Sequence, residues 1–479
     1  MSKKNSYIVV GAGPAGLSAA YEAQKYGCDI SIFERSSHMG GLVRTLQYKD
    51  CRYDIGTHRF YTLNKEINDF YNNILGNDKL EVKRLSRILH DKKFFLYPLS
   101  PFNTLLNLGI YDATLMMLSY LNALIKRKLN LSKIKNYEDW VISNFGYRLY
   151  KSFFKSYTEK VWGINCTEIS DEWAAQRIKN LSFFSVIINP IKKKFSKKKI
   201  KSLIESFYYP KTGAGLIYEK MANIILKNKG KIFTEHNLVK IKHDNYKIIS
   251  LVFKNKNNEL IEKNADYYFT SCPFTEIITM LDPKPPKEVL DSGKKLQFRH
   301  HVGVNLEIHG KIFKDNWIYV HDDTIKIARV VNYKSFSKYM SPNEDQNPVT
   351  VEYFSFEDEF IWQSTDEELV KYAEMEMRKA GIINDHNKIM NGFVVRSKNS
   401  YPVIKKDYDI EVKTIKEYLD KFKNIIPIGR SGMFKYNNQD HAMATGMYAA
   451  RNIEDENFNV DIWKINSEGI YVEGDSEDV

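Results

Sequence analysis

Ser6-Tyr7-Ile8-Val9-Val10-Gly11-Ala12-Gly13-Pro14-Ala15-Gly16 is the stretch from which the rest of the chain must be read. Its first five residues are apolar and β-branched enough for one buried parallel strand. The glycine-rich turn follows at once, residues 17–25 read as a helix, and a second apolar strand over 29–33 ends on Glu34. That order is a dinucleotide fingerprint. Gly11 serves the tight turn, Gly13 the close approach of backbone to a pyrophosphate, and Gly16 the packing of helix on strand. The helix that opens at Ala15 offers free N–H groups and a positive dipole end to the phosphates. Glu34 lies 23 residues after Gly11 (34 − 11), where a carboxylate can accept hydrogen bonds from an adenosine ribose.

Residues 35–60 narrow the choice of dinucleotide. Arg35 is followed by Gly40-Gly41-Leu42-Val43-Arg44-Thr45 and then by Asp54-Ile55-Gly56-Thr57-His58-Arg59-Phe60. A second glycine pair just past the ribose carboxylate resembles the amine oxidase and protoporphyrinogen oxidase superfamily. There it lets backbone reach the pyrophosphate and ribityl chain, so the resemblance implies non-covalent FAD rather than NAD. Arg35, Gly41, Leu42 and, on a later strand, Leu238 join the expected cofactor set.

The 479 residues call for two or three packed units, and 31 tyrosines with 27 phenylalanines supply a large core. No apolar run approaches the ~20 residues of a membrane span, and Lys3-Lys4 opens no signal-peptide core, so a cytoplasmic protein is expected. Cys28, Cys51, Cys166 and Cys272 lack disulfide or metal-ligand spacing, so no metal is expected. The net charge of +12 is partly local: from Lys192 to Lys201, seven of ten residues are lysine. Such a run is usually a solvated loop. It could make weak contact with an anionic membrane, while nucleic acid is not expected as a partner.

Along the chain, residues 87–90 and 94–97 form an expected hairpin about Asp91-Lys92, and helical spacing runs through 103–108, 111–129, 137–145, 149–162 and 171–180. Short strands follow at 231–234, 238–242, 248–253 and 267–271. Longer alternating strands at 301–308, 317–320 and 350–354, interrupted by a helix over 366–380, predict an antiparallel sheet with one face toward a ligand. A strand over 424–428 and a helix from 440 to 453 close the pattern.

Gly429-Arg430-Ser431-Gly432-Met433-Phe434-Lys435-Tyr436-Asn437-Asn438-Gln439-Asp440-His441 resembles the matching segment of the larger branch of UDP-galactopyranose mutases. Arg84-Leu85-Ser86 with Tyr97-Pro98, Tyr137-Glu138-Asp139-Trp140, Ser156-Tyr157-Thr158-Glu159-Lys160-Val161-Trp162-Gly163, Tyr209-Pro210 with Gly213 and Gly215, and Tyr401-Pro402 continue the resemblance in order, from residue 6 to about 455. It implies an α/β fold: a Rossmann-type FAD-binding domain with a helical insertion and an antiparallel-sheet substrate domain. The expected division is 1–83, 205–285 and 423–455 for the FAD-binding domain, and 101–204 for the helical domain. Residues 84–100 and 286–422 are assigned to the substrate sheet, and 456–479 to a loose polar tail.

The family interconverts pyranose and furanose forms of a nucleotide-linked galactose, in cell-surface polysaccharide biosynthesis. Reduced flavin N5 is its nucleophile, there is no net redox change, and NAD(P)H serves only as external reductant. The resemblance implies a nucleotide-sugar substrate; a homo-oligomer is possible, and the sequence does not give the oligomeric state. It makes Arg329, Tyr401, Arg430 and Tyr436 a diphosphate clamp with Tyr97 and Tyr333 beside it. Planar guanidinium forks suit phosphate oxygens, and phenols donate without adding charge. His58 corresponds to the histidine on the family's flavin loop, Arg84 to an arginine beside the flavin, and Asn438-Gln439 to the helix opening at the flavin's pyrimidine end.

Three departures stand out. Gly56-Thr57-His58 replaces Gly-Gly-His, Ser143 stands near the position of a phosphate-binding arginine, and the spacing from Arg329 to Tyr333 is shorter. The competing readings are an FAD-dependent oxidase or desaturase of the same superfamily, and a surface-binding flavoprotein guided by the lysine run.

Overall fold

The computed structural model describes residues 4–97, 99, 101–178 and 206–466. The lysine run from Lys192 to Lys201 lies outside the described residues.

Ser6–Val10 is the middle strand of a five-stranded, all-parallel sheet. Tyr267–Thr270 and Asp29–Phe33 flank it, with Ile425–Pro427 and Lys231–Phe233 at the edges. The alternation of side chains explains why this short run is apolar throughout. Tyr7 and Val9 pack into the core shared with the helices Pro14–Lys25 and Gln439–Glu454, while Ile8 and Val10 enter the core on the opposite face with Phe33, Phe253 and Tyr268. Pro14 opens the first helix, where its missing N–H costs nothing. That helix and the last one touch backbone to backbone: a Cβ on Gly446 would come within 2.0 Å of the Ala15 carbonyl.

The second large sheet has seven strands in the order Lys388–Pro402, Phe298–His309, Gln346–Ser355, Arg329–Asn332, Trp317–Val320, Ser86–His90 and Lys93–Leu96. The early hairpin turns through Asp91 and Lys92 at positive φ, the geometry of a two-residue type I′ turn, and adds itself to this distant sheet. The expected antiparallel sheet is corrected at one place: Trp317–Val320 runs parallel to Ser86–His90. A hairpin contributed from far upstream can join an edge in either direction, because no short loop dictates its sense.

The helices Pro101–Leu108, Ile110–Lys128, Tyr137–Phe145, Ser156–Trp162 and Asp171–Ile178 follow the early hairpin in the chain, and their core includes Ile88, Phe95 and Phe354 of the seven-stranded sheet. The expected helix over 149–162 is present without a break, and its stretch Tyr150–Lys155 is wound as a π-helix. Tyr137, Val141, Phe145, Tyr150 and Trp162 form the core beneath them. The loose tail is also corrected for its first part. Ile462 is buried, Trp463 packs edge-on against Phe274, and Lys435 donates to the Ile465 carbonyl at 2.9 Å. Apolar Ile462 and Trp463 dock this segment despite its polar surroundings. Residues 467–479 lie outside the described set.

Candidate active site

The fingerprint turn is built from contacts only glycine permits. Gly11 has φ +101°, and a Cβ there would strike Ser271 Oγ at 2.1 Å; one on Gly16 would strike the Gly11 carbonyl at 1.9 Å. The second glycine pair lies on this turn. Gly40 N–H donates to the Ala12 carbonyl at 2.8 Å, and a Cβ on Gly41 would meet Gly13 Cα at 3.1 Å. No side chain caps the helix Pro14–Lys25. The result is a cradle of backbone with an uncapped helix N-terminus, which fits a pyrophosphate.

Glu34 sits at the end of the adjacent strand, 7% exposed, and accepts from Ala12 N–H (2.8 Å) and Ser36 N–H (2.9 Å). Arg35 behind it is exposed, and Leu42 is half-buried beside the cradle. The Leu238 side chain belongs to the core under the sheet. The strand that carries it meets Glu34 through His236 N–H and the Glu34 carbonyl, 2.8 Å.

The loop carrying His58 starts from this cradle, where Ile55 N–H donates to the Arg44 carbonyl at 3.3 Å. His58 Nε2–H donates to the Ile55 carbonyl at 2.7 Å. Burial pushes its imidazole down to about 4, and the neighbouring Arg430 and Arg329 add to the effect against the backbone bond and Glu352. His58 is therefore neutral at pH 7, with Nδ1 as a free lone pair. It stands within the field of two arginines that come from different sheets.

Arg430 opens the turn after Ile425–Pro427. Its guanidinium lies 5.1 Å from the ring centres of both Tyr401 and Tyr436 and is steered by the carbonyls of Asn437 (2.8 Å) and Ser400 (3.2 Å). Neither carbonyls nor rings cancel its charge. Tyr401 and Tyr436 meet at 5.4 Å and are walled by Phe354 and, from the helical region, Trp162.

Arg329 is different, because its Nε is ion-paired with Glu352, a fully buried carboxylate on the adjacent strand. Burial alone would raise that carboxyl, but Arg329 holds it at about 2. The second Glu352 oxygen has no hydrogen bond and faces His301 Nε2 at 3.6 Å, while a Cβ on Gly56 would come within 2.8 Å of it. Gly56, at φ +86°, is therefore the only residue type that lets the His58 loop pass over this carboxylate.

Tyr157 borders Arg329 and contacts Tyr319 at 5.4 Å, and Tyr319 contacts Tyr97 at 5.3 Å. The helix bearing Tyr157 is pinned to the sheet by Lys160, which donates to the Val320 carbonyl at 2.9 Å and whose ammonium burial pushes down to about 8. Arg84 lies over Tyr97 (5.0 Å) and Trp317 (5.7 Å), and its buried Nη1 has no hydrogen-bond partner.

The expected residues thus divide. His58, Arg329, Tyr401, Arg430 and Tyr436 come together, with Arg84 and Tyr97 at one side. Tyr333 does not join them: it is 1% exposed and donates its hydroxyl to the Asp54 (2.6 Å) and Gly56 (3.3 Å) carbonyls, so it braces the His58 loop from behind. The correction is physical: the short spacing from Arg329 carries the chain over the sheet end and into the core. Gln439 also has its amide occupied, giving a hydrogen to the Arg59 carbonyl (3.0 Å) and taking one from Tyr218 (3.0 Å). Asn438 begins the last helix, its N–H donating to His441 Nδ1 at 3.3 Å. Arg396 is tied to Asp366 and the Ser364 carbonyl, away from the clamp. Sequence reasoning missed Glu352, His301 and Tyr157. A lone acid inside the apolar run Val351-Glu352-Tyr353 was the available signal for Glu352.

Among the described residues no cluster of three or more His, Cys, Asp and Glu could hold a metal ion. The model of the NAD(P)-binding Rossmann-like domain matches residues 9–74. A probable UDP-galactopyranose mutase of Klebsiella pneumoniae is 28% identical over 176 residues, 35% of this chain and 44% of that relative, so the match spans under half the relative's length. The L-amino-acid oxidase of Crotalus adamanteus is 36% identical over 69 residues, 14% of this chain and 13% of the oxidase. The solved structure of reduced UDP-galactopyranose mutase is similar with a TM-score of 0.81 at 17% identity, covering 98% of this chain and 97% of that one. A putative protoporphyrinogen oxidase from Exiguobacterium follows at 0.71 and 16%, covering 95% and 100%. The chain carries a dinucleotide-binding Rossmann-like domain within the fold of UDP-galactopyranose mutase, and it resembles a probable mutase of that name in sequence.

Proposed function

We propose that this protein is an FAD-dependent nucleotide-sugar mutase that interconverts pyranose and furanose forms of its sugar, with external NAD(P)H keeping the cofactor reduced. The observation that carries the reading is the pair of arginines, Arg329 and Arg430, acting from two sheets on one neutral histidine whose loop begins at the glycine cradle. Gly11, Gly13, Gly16, Gly41 and Glu34 would hold the dinucleotide. Reduced FAD, when bound, supplies the nucleophile that displaces a nucleoside diphosphate from the anomeric carbon.

The chain's own part is to hold that leaving group. Arg430, which has no carboxylate partner among the described residues, attracts the diphosphate, and the Tyr401 phenol lies beside it as a donor with the Tyr436 ring at the same distance. Arg329 has its charge balanced by Glu352, so it acts as a fixed donor aimed by its partner, with Nη groups left for a phosphate oxygen. Neutral His58 can accept a proton at Nδ1 without adding a third cation. Ser143, buried on the helix Tyr137–Phe145, supplies no cation from the helical side.

A panel of nucleotide sugars incubated with dithionite-reduced protein tests the reading. One reducing pulse should support many turnovers of ring contraction. Substrate-driven reduction of oxidised flavin would instead assign the protein to the oxidoreductases.

A further inference from the structure

The helix Ile110–Lys128 carries two apolar faces. Met116, Tyr120 and Ala123 are buried against the helical core. On the opposite side Ile110, Leu118, Leu121 and Ile125 project outward, with exposures of 80, 56, 39 and 56%, and Leu129 continues the row at 63%. At 100° per residue these positions fall within one stripe, about half a turn from the buried one. A solvated helix face in a globular protein is ordinarily polar, and an apolar stripe of this length marks an interaction surface.

The charge around the stripe identifies the partner's chemistry. Between residues 101 and 135 the single acid is Asp112, whereas Lys126, Arg127, Lys128, Lys133 and Lys135 gather where the helix ends. Lys126, Lys128, Lys133 and Lys135 are exposed. No helix among the described residues is long and apolar enough to cross a membrane. An outward apolar stripe beside a cluster of cations is the pattern of a helix that lies in the headgroup region of an anionic bilayer. Asp112 lies in the first turn of the helix and Lys126, Arg127 and Lys128 in the last, so the end that carries the cations presents one sign of charge, which suits a surface of phosphate headgroups.

We infer that the outer face of Ile110–Lys128, with the lysines that follow it, docks on an anionic lipid bilayer and lies along its surface. The apolar residues enter the acyl boundary while the cations meet phosphate headgroups. The dinucleotide domain is built from other elements, so docking and catalysis are separable.

Sedimentation of the full-length protein with phosphatidylcholine vesicles, with and without phosphatidylglycerol, tests this. Wild type should co-sediment with the anionic vesicles and be released by salt. The exposed-face variant L118S/L121S/I125S should lose on the order of tenfold or more in partitioning. K126E/K128E should lose at least as much, since each cation near the surface is worth roughly fivefold. Both variants should keep the wild-type circular dichroism and bound-flavin absorbance. Equal partitioning of wild type and variants would overturn the inference, as would failure of wild type to bind anionic vesicles. Concentration-dependent self-association of wild type, abolished by L118S/L121S/I125S in the absence of vesicle binding, would assign the face to a second copy instead.

Discussion

The glycine cradle and the arginine clamp solve opposite problems. The cradle must bring backbone to an anion, so it removes side chains: Gly11, Gly16 and Gly41 each sit where a Cβ would touch neighbouring atoms at 3.1 Å or less. Its parts lie close together in sequence, and its geometry is local. The clamp we propose has to place charge in front of a substrate, and its side chains come from positions 58, 329, 352, 401, 430 and 436. One of its two cations comes with a buried counter-charge and the other does not. A backbone site tolerates ligand loss with little cost to the fold, whereas an imported, buried charge pair makes the binding site part of the core.

The largest expected effect follows from that contrast. Arg329→Ala strands the Glu352 carboxylate, which is fully buried and has its second oxygen already unsatisfied. Removing one partner of such a pair costs about 3–5 kcal/mol of stability. Arg329→Met with Glu352→Gln should recover most of it in thermal unfolding, although nucleoside diphosphate binding stays lost. If Arg329→Ala unfolds like wild type, the clamp is not coupled to the core and the contrast fails.

His58 gives the next effect, and its sign is set by burial. Its folded value, about 4, lies below the ordinary 6.5, so between these values the unfolded chain binds more protons. The stability tied to neutral His58 is therefore full above pH 6.5 and is lost as pH falls through 4, up to about 3 kcal/mol. Asp54 works the other way: burial raises its carboxyl to about 6, so its contribution is present at low pH and lost as pH rises through 6. Comparing wild type with His58→Gln across pH removes the Asp54 part. The stability difference between the two proteins should be flat above pH 7 and change steadily below 6.5. A flat difference throughout would mean that His58 is solvated.

On the cradle side, Glu34→Gln should weaken dinucleotide binding by about 1.5–3 kcal/mol. It replaces a carboxylate oxygen that accepts from a backbone N–H and, in the proposed reading, would also accept from a ribose hydroxyl. The fold should be little changed, because the glycine contacts remain. Titration of the apoprotein with FAD checks this, and unchanged affinity would place the ribose elsewhere.

These expectations also mark what the sequence could and could not reveal. The strand, turn, helix and Glu34 were legible because each is dictated within a few residues by alternation, glycine or a helix start. Arg329 and Arg430 were legible only through the family resemblance, and their convergence depends on two sheets closing on each other. Glu352 was not legible as a partner, since nothing in a strand's own pattern says which buried cation will face it across a neighbouring strand. The docked turn at Ile462–Lys464 was missed for a related reason. A polar composition predicts looseness on average, yet one buried isoleucine and one tryptophan packed against Phe274 are enough to anchor the segment.

Tyr333 supplies the smallest effect and separates bracing from binding. Its resemblance-based role was to touch substrate, whereas its hydroxyl holds the Asp54 and Gly56 carbonyls behind the His58 loop. Tyr333→Phe keeps the ring packed and removes two hydrogen bonds to backbone that water does not reach. The expected cost is about 0.5–1.5 kcal/mol of stability, with nucleoside diphosphate affinity unchanged. Tyr401→Phe should do the reverse, lowering that affinity while leaving thermal unfolding near wild type. The three phenols differ in what they face, since Tyr333 is sealed beneath Gly56 and the other two, Tyr401 and Tyr436, lie against an arginine that has no carboxylate partner among the described residues. Loss of nucleoside diphosphate binding in Tyr333→Phe without loss of stability would return Tyr333 to the clamp. It would also mean that the His58 loop moves far enough, when substrate enters, to uncover a residue now buried behind it.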